Sequence, residues 1–230
     1  MGRGGRVRRE KTSVSREDYL KAIWGFIQEE QTPIAARLAE ELGVTPPAVA
    51  AALKRMARDG YLRVRAGGVI RLTAKGRALA DKLVLRHRLA EKLLTEVIGV
   101  EWSKVHEEAE RLEHGISDEV AQLLLKRFGP DSTCPHGVPL RGGMAKLRRQ
   151  NSAVRLSDVQ PGDRIEILRV YEKDPKFLEF VESRQLRPGA RARVLRREYD
   201  ETITLAVGGR RIYLGQPATS RIWVRRLSPA

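Results

Sequence analysis

The chain has 230 residues, enough for one large domain or two to three small ones, and its 44 Lys and Arg against 29 Asp and Glu leave a formal net charge of +15. That balance points to polyanionic partners, with nucleic acid first and an anionic membrane surface second. No apolar run reaches the roughly 18 residues a membrane span needs, and the single cysteine, Cys134, has no intrachain disulfide partner, so the expectation is a soluble, cytoplasmic protein rather than a membrane protein or a disulfide scaffold.

Residues 1–13 are rich in Arg and lack apolar periodicity, which predicts a flexible basic arm. A helix is expected from Ser15, with Tyr19, Ile23, Phe26 and Ile27 at helical spacing. Two short amphipathic helices follow, Ile34 to Leu42 and Pro46 to Arg58, separated by Gly43 and Val44 in the layout of a helix-turn-helix. Thr45 suits the N-cap of the second, and Pro46 and Pro47 its first turn. After Gly60 the period becomes alternating, and Leu62, Val64, Ile70 and Leu72 around Gly67-Gly68 predict a hairpin.

Three helices and a hairpin make a winged helix over residues 14–73. Its cations, Lys54, Arg55 and Arg58 on the second short helix and Arg63, Arg65 and Arg71 on the hairpin, fall where such a module meets phosphate.

Thr73 should cap a long helix from Ala74 to Ile98, followed by one continuous helix running toward "LLLKRFG", so that residues 74–130 form a second helical domain. Residues 131–153, rich in Pro, Gly and Arg, read as a linker in which His136 is a solvated loop residue. Five short strands and one short helix near Pro175 to Gln185 then predict a small all-β barrel over residues 154–230.

The stretch "HEEAERLEHGISDEV" concentrates acid and imidazole in a basic chain. On a helix Val105, Ala109, Leu112, Ile116 and Val120 form a core stripe, and His106, Glu110, Glu113 and His114 form a second stripe about 100° away. A solvated acidic face explains most helices of this composition, and metal ligation is the sharper alternative. His87 and Glu91, spaced i, i+4 on the preceding helix, could meet that stripe in an antiparallel pair.

Asp18 has a plain reading as the partner of Ser15 in a capping box. Oxygen and imidazole donors suit Mn(II) or Fe(II) better than structural zinc. No H-E-x-x-H motif, dinucleotide loop or activated nucleophile is present, so an enzyme is not expected; the alternative kept open is a metal-dependent hydrolase or metal-storage protein carrying a basic winged helix.

The run "HRLAEKLLTEVIGVEWSKVHEEAERLEHGISDEV", with "DYLKAIW" and "VTPPAVAAALKRMARDGYL" before it, resembles the diphtheria toxin repressor (DtxR) family of metal-dependent transcriptional regulators. The tail resembles the FeoA-like, Src-homology-3-like barrel of its longer members.

The resemblance implies a homodimer holding a double-stranded palindromic operator when metal is bound, with residues 74–130 as the metal-binding and dimerisation domain and no membrane or small organic substrate as partner. It implies a primary metal site of Asp18, Glu110, Glu113 and His114, an ancillary site of His87, Glu91 and His106 completed by Glu172 from the C-terminal domain, and DNA contacts from Arg37, Thr45, Pro47, Arg55 and Arg58. The two carboxylates at positions 18 and 110 are the choice of the manganese branch, so Mn(II) is the expected cofactor and Fe(II) the second candidate. Lys21, where two-metal manganese members carry Glu, and Ala51, where iron-type members carry Gln, depart from the family pattern.

Overall fold

The computed structural model describes residues 15–228, so the expected basic arm lies outside the described residues. These form two compact units, the first ending at Lys82 and the second beginning at Leu83.

In the first unit α1 (Arg16–Gln28) opens on a capping box: Ser15 Oγ accepts from the Asp18 amide at 3.2 Å, and Asp18 Oδ2 accepts from the Ser15 amide at 2.8 Å. Two backbone donors left over at the helix start are thereby satisfied. Ser15→Ala is expected to lower the stability of this unit by about 1 kcal/mol, read as an earlier urea midpoint.

The helix buries Leu20, Ile23 and Trp24 against α2 (Ala35–Leu42). Gly43 then takes the left-handed conformation (φ 61°) that turns the chain into α3 (Pro46–Arg58). Thr45 occupies the N-cap position, but its side chain makes no capping bond; Pro46 and Pro47 lack the amides of the first two helical positions, which leaves fewer donors there to satisfy.

Leu38, Val49 and Met56 close this core together with Leu62 and Ile70 of the hairpin. Its strands β1 (Leu62–Val64) and β2 (Ile70–Leu72) pair antiparallel, with Arg63 directly opposite Arg71. The expected three helices and wing are therefore present.

Thr73 Oγ1 accepts from the Gly76 amide at 3.1 Å and caps α4 (Ala74–Leu93) as expected. The α-helix ends sooner than the spacing predicts: Leu94–Ile98 form one wider π-type turn, closed by Gly99 at φ 85°.

The continuous helix expected next is two, α5 (Val105–Leu112) and α6 (Asp118–Phe128). A tight turn at Glu113–Gly115 ends the first, and Ser117 caps the second by accepting from the Val120 amide at 3.2 Å. The break rotates Val120 out of the core stripe and leaves it exposed, while Val105, Ala109 and Ile116 stay buried.

The stretch expected as a linker is packed. Cys134, His136, Val138 and Leu140 are buried in a turn held by Cys134 N to Val138 O (2.8 Å) and Val170 N to His136 O (3.0 Å), and α7 (Gly143–Asn151) follows. Pro and Gly there build a tight turn that buries its flanks rather than a solvated tether.

The remaining chain is an antiparallel sheet of β3 (Val154–Arg155), β4 (Arg164–Val170), β5 (Arg191–Arg197), β6 (Ile203–Val207), β7 (Arg210–Leu214) and β8 (Ile222–Leu227), ordered β3-β8-β4-β5-β6-β7. Ile165, Ile167, Val194, Leu205 and Val224 fill one face, covered by Leu178 and Val181 of α8 (Pro175–Glu182).

The expected barrel is not formed: the sheet is open between β3 and β7. One edge, β3, is only two residues long and offers no ladder long enough to close, and β7, at the other edge, runs into the helical turn α9 (Gln216–Thr219). Among the described residues no helix is long and apolar enough to cross a membrane.

Candidate metal centre

The second unit brings His87 and Glu91 of α4 against His106 of α5, as the i, i+4 spacing and the second stripe implied. His87 Nε2, His106 Nδ1 and His136 Nδ1 lie 3.2, 3.1 and 3.2 Å from one oxygen, Glu91 Oε1. Cys134 Sγ stands in the same group with Glu91 and His136, all ligand atoms within 4.8 Å of one another. All five residues are buried.

The outer nitrogens fix the rings. His87 Nδ1 donates to Glu113 Oε2 at 2.5 Å, and His136 Nε2 donates to the Trp102 carbonyl at 3.2 Å. With a cation in the cluster, neutral His87 and His136 would offer it the other nitrogen of each ring. His136 Nδ1 is fully buried and lacks the alignment of a hydrogen bond despite its short distance from the carboxylate. Imidazole nitrogens and a carboxylate gathered in a buried space form a donor set that a cation would fit, with the carboxylate or carbonyl behind each ring holding its tautomer.

Without an ion the carboxylate and the imidazoles stabilise one another. Burial raises the Glu91 carboxyl, but the facing His136 and His87, with a hydrogen bond from His106, overcome it and hold Glu91 well below the usual carboxylate value. Burial alone would lower His136, yet the attraction of Glu91 raises it. Cys134 is pushed well up by burial and then by Glu91 and Glu172, so a metal would displace a thiol proton to engage its sulfur.

Glu172, just after β4, is lowered to about 2: burial opposes the shift, and Arg169, whose Nη2 donates to Glu172 Oε2 at 2.8 Å, drives it, with His106 and His136 adding to it and Glu91 opposing. The residue taken as the C-terminal domain's contribution thus lies within electrostatic reach of the cluster.

The primary set is differently disposed. Glu113 is buried with His114 Nε2 3.7 Å from its Oε1, and Glu110 Oε1 is 3.7 Å from His106 Nε2. Glu113 thereby touches both sets, facing His114 on one side and orienting His87 on the other. Asp18 belongs to the first unit, where its carboxylate is engaged in the capping box.

Cys134 and His136 were missed by sequence reasoning; the available signal was Cys and His two residues apart, hidden in a stretch that read as linker. The residues expected at DNA, Arg37, Thr45, Pro47, Arg55 and Arg58, are all exposed on α2, α3 and the turn between them.

Residues 11–67 match the family described as "Iron dependent repressor, N-terminal DNA binding domain", 73–140 match "Iron dependent repressor, metal binding and dimerisation domain", and 154–226 match "FeoA domain". The second match runs through the turn bearing Cys134 and His136. The diphtheria toxin repressor of Corynebacterium jeikeium is 34% identical over 196 residues, which are 76% of this chain and 82% of that protein.

The chain belongs to the diphtheria toxin repressor family of metal-dependent regulators.

The iron-dependent repressor IdeR of Mycobacterium leprae, another member, is 39% identical over 158 residues, 66% of this chain and 69% of that one. A solved manganese-dependent transcriptional repressor in complex with manganese is 32% identical with a TM-score of 0.82, covering 93% of this chain and all of its own. The family relatives are named as repressors, so the chain is a DNA-binding regulator rather than an enzyme, and the hydrolase or storage alternative falls away.

Proposed function

We propose that this protein is a Mn(II)-responsive repressor of metal-uptake genes, with Fe(II) as the second candidate ion, acting in the cytoplasm as a homodimer on a palindromic operator. The observation that carries the reading is the convergence of His87, Glu91, His106 and His136 on one buried point, a donor set that a divalent cation would fit. A divalent cation there would supply the positive charge those groups lack.

The primary ligand set proposed is Asp18, Glu110, Glu113 and His114, and the second set is His87, Glu91, His106 and Glu172, to which the buried Cys134 and His136 are added. The first is dominated by oxygen, which favours Mn(II); the second is richer in imidazole and includes a thiol, which suits softer ions. Glu113 links them, because the carboxylate that would hold an ion at the first set also orients His87 of the second. Asp18 is the only proposed ligand on the DNA-binding unit, so an ion at the first set would tie that unit to the dimerisation helices and favour one spacing of the two heads. For a dimer on adjacent half-sites that spacing is roughly 34–36 Å.

Boundaries at residues 14–73, 74–130 and 154–230 are proposed for the three functional parts, with 131–153 reassigned from linker to metal-site wall. Exposure of Val97, Ile98, Val120 and Leu123 on the second unit supports a partner subunit covering them. The proposed DNA contacts are Arg37, Thr45, Pro47, Arg55 and Arg58.

The test is an electrophoretic shift with a duplex from a metal-uptake promoter, run with Mn(II), with Fe(II) under anaerobic conditions, and with chelator. Parent protein is expected to shift the duplex only with metal. Glu110→Ala is expected to lose that metal response and keep weak, salt-sensitive binding from its phosphate contacts. Equal affinity with and without metal in the parent would overturn the proposal.

A further inference from the structure

On the solvent face of the C-terminal sheet, residues directly opposite one another across four strands form a row: Arg164 on β4, Arg193 on β5, Ala206 on β6 and Arg211 on β7. All three arginines are exposed. With strands about 4.8 Å apart, the row spans about 14 Å. None of the three has an ion pair among the described residues.

The neighbouring row on the same face is built differently. There Arg191 and Arg225 flank Glu166, which takes Arg225 Nη2 at 3.0 Å and faces Arg191 Nε at 3.7 Å. Elsewhere in the domain Arg226 pairs with Asp163 and Arg221 with Asp174. Arg225, Arg226 and Arg221 thus each face a carboxylate, and the three arginines of this row do not.

Like charges directly opposite destabilise a strand pair, so Arg164 facing Arg193 works against the sheet. Protection of an exposed edge does not account for it, because β4 and β5 are interior strands. Gly162 and Ala206 keep the surroundings low, leaving a groove of about 890 Å³ lined by Arg164, Arg191 and Arg193. The wing repeats the device on a smaller scale, where Arg63 faces Arg71 in register beside Arg65.

We infer that this arginine row is a second polyanion surface that contacts the phosphate backbone of duplex DNA, separate from the winged helix. The chemistry it fits is a run of closely spaced phosphodiesters: guanidinium forks match phosphate oxygens, and the row offers several in line rather than the single pocket a small anion needs. It presents no hydrogen-bonding pattern aimed at base edges, so it adds affinity and register without sequence preference. The inference rests on the DNA-binding reading of the family and adds a surface to it.

The test is a titration of the full-length protein against a short fluorescent duplex of arbitrary sequence at several salt concentrations. Each lost phosphate contact flattens the dependence of log K on log salt by about 0.9, so Arg164→Gln/Arg193→Gln/Arg211→Gln is expected to flatten it by about two to three. The matching triple substitution to Lys is expected to keep the parent slope. Should the Gln triple fold poorly by circular dichroism, the single Arg193→Gln decides the matter with a change of about one.

A parent slope in the folded Gln variants would overturn the inference, and so would that slope combined with lost binding to phosphatidylserine vesicles, which would assign the row to an anionic membrane. Failure of the parent itself to bind any duplex would instead strike the DNA-binding reading.

Discussion

Glu91→Gln is expected to weaken metal binding at the histidine cluster by at least about a hundredfold while leaving the chain folded. The substitution keeps the shape of a side chain that is 1% exposed, so no cavity opens. It removes the only carboxylate on which three imidazoles converge, at 3.2, 3.1 and 3.2 Å from one oxygen. With that charge gone, a dication would meet less opposing charge in a buried site, where an undercompensated charge is expensive.

Two measurements follow. Equilibrium dialysis with Mn(II) should show one ion fewer per chain, and the rise in melting temperature on adding metal should shrink. An ion present at a hundred times its dissociation constant stabilises the folded state by about 2.7 kcal/mol, so its loss is within easy reach of calorimetry. Comparison with Glu110→Ala separates the two ligand sets, because Glu110 lies 3.7 Å from His106 Nε2, on the outer side of that ring. An unchanged metal count in Glu91→Gln would remove the cluster from the mechanism.

What was legible beforehand follows from how local each feature is. The i, i+4 pair His87 and Glu91, the stripe containing His106 and the caps at Ser15 and Thr73 depend only on helix geometry, and the structure keeps them. The break after α5 carried a local signal too, Gly115 followed by a capping Ser117, which the continuing apolar pattern masked. Cys134 and His136 carried almost none. Their turn is fixed by Val170 N to His136 O, by Trp102 Nε1 to Pro135 O and by Arg88 Nη1 to Pro139 O, partners 34, 33 and 51 residues away or nearly so. Long-range bonds of this kind leave a Pro-rich and Gly-rich stretch looking like a tether. Alternation likewise marked the five longer strands, whereas closure of the sheet depended on a two-residue edge that alternation cannot register.

Gly137→Ala follows from that same turn and is expected to cost at least about 3 kcal/mol of stability. Gly137 sits at φ 94°, and a Cβ there would lie 1.8 Å from the Leu168 carbonyl oxygen and 2.8 Å from its carbon. Those are backbone atoms of β4, whose flanking residues Ile167 and Arg169 are paired with Val224 and Trp223 of β8, so the strand resists and the turn must move. Moving the turn breaks the bond from Val170 N to His136 O and withdraws both His136 and Cys134 from Glu91. Stability and metal affinity should therefore fall together. Gly162→Ala supplies the control, since Gly162 has φ 97° but open space where a Cβ would go. It should show the conformational strain alone, about 1 kcal/mol, with metal binding unchanged. Equal losses in the two variants would mean that strain rather than the clash with β4 governs Gly137, and that the turn is free to shift without disturbing the metal site.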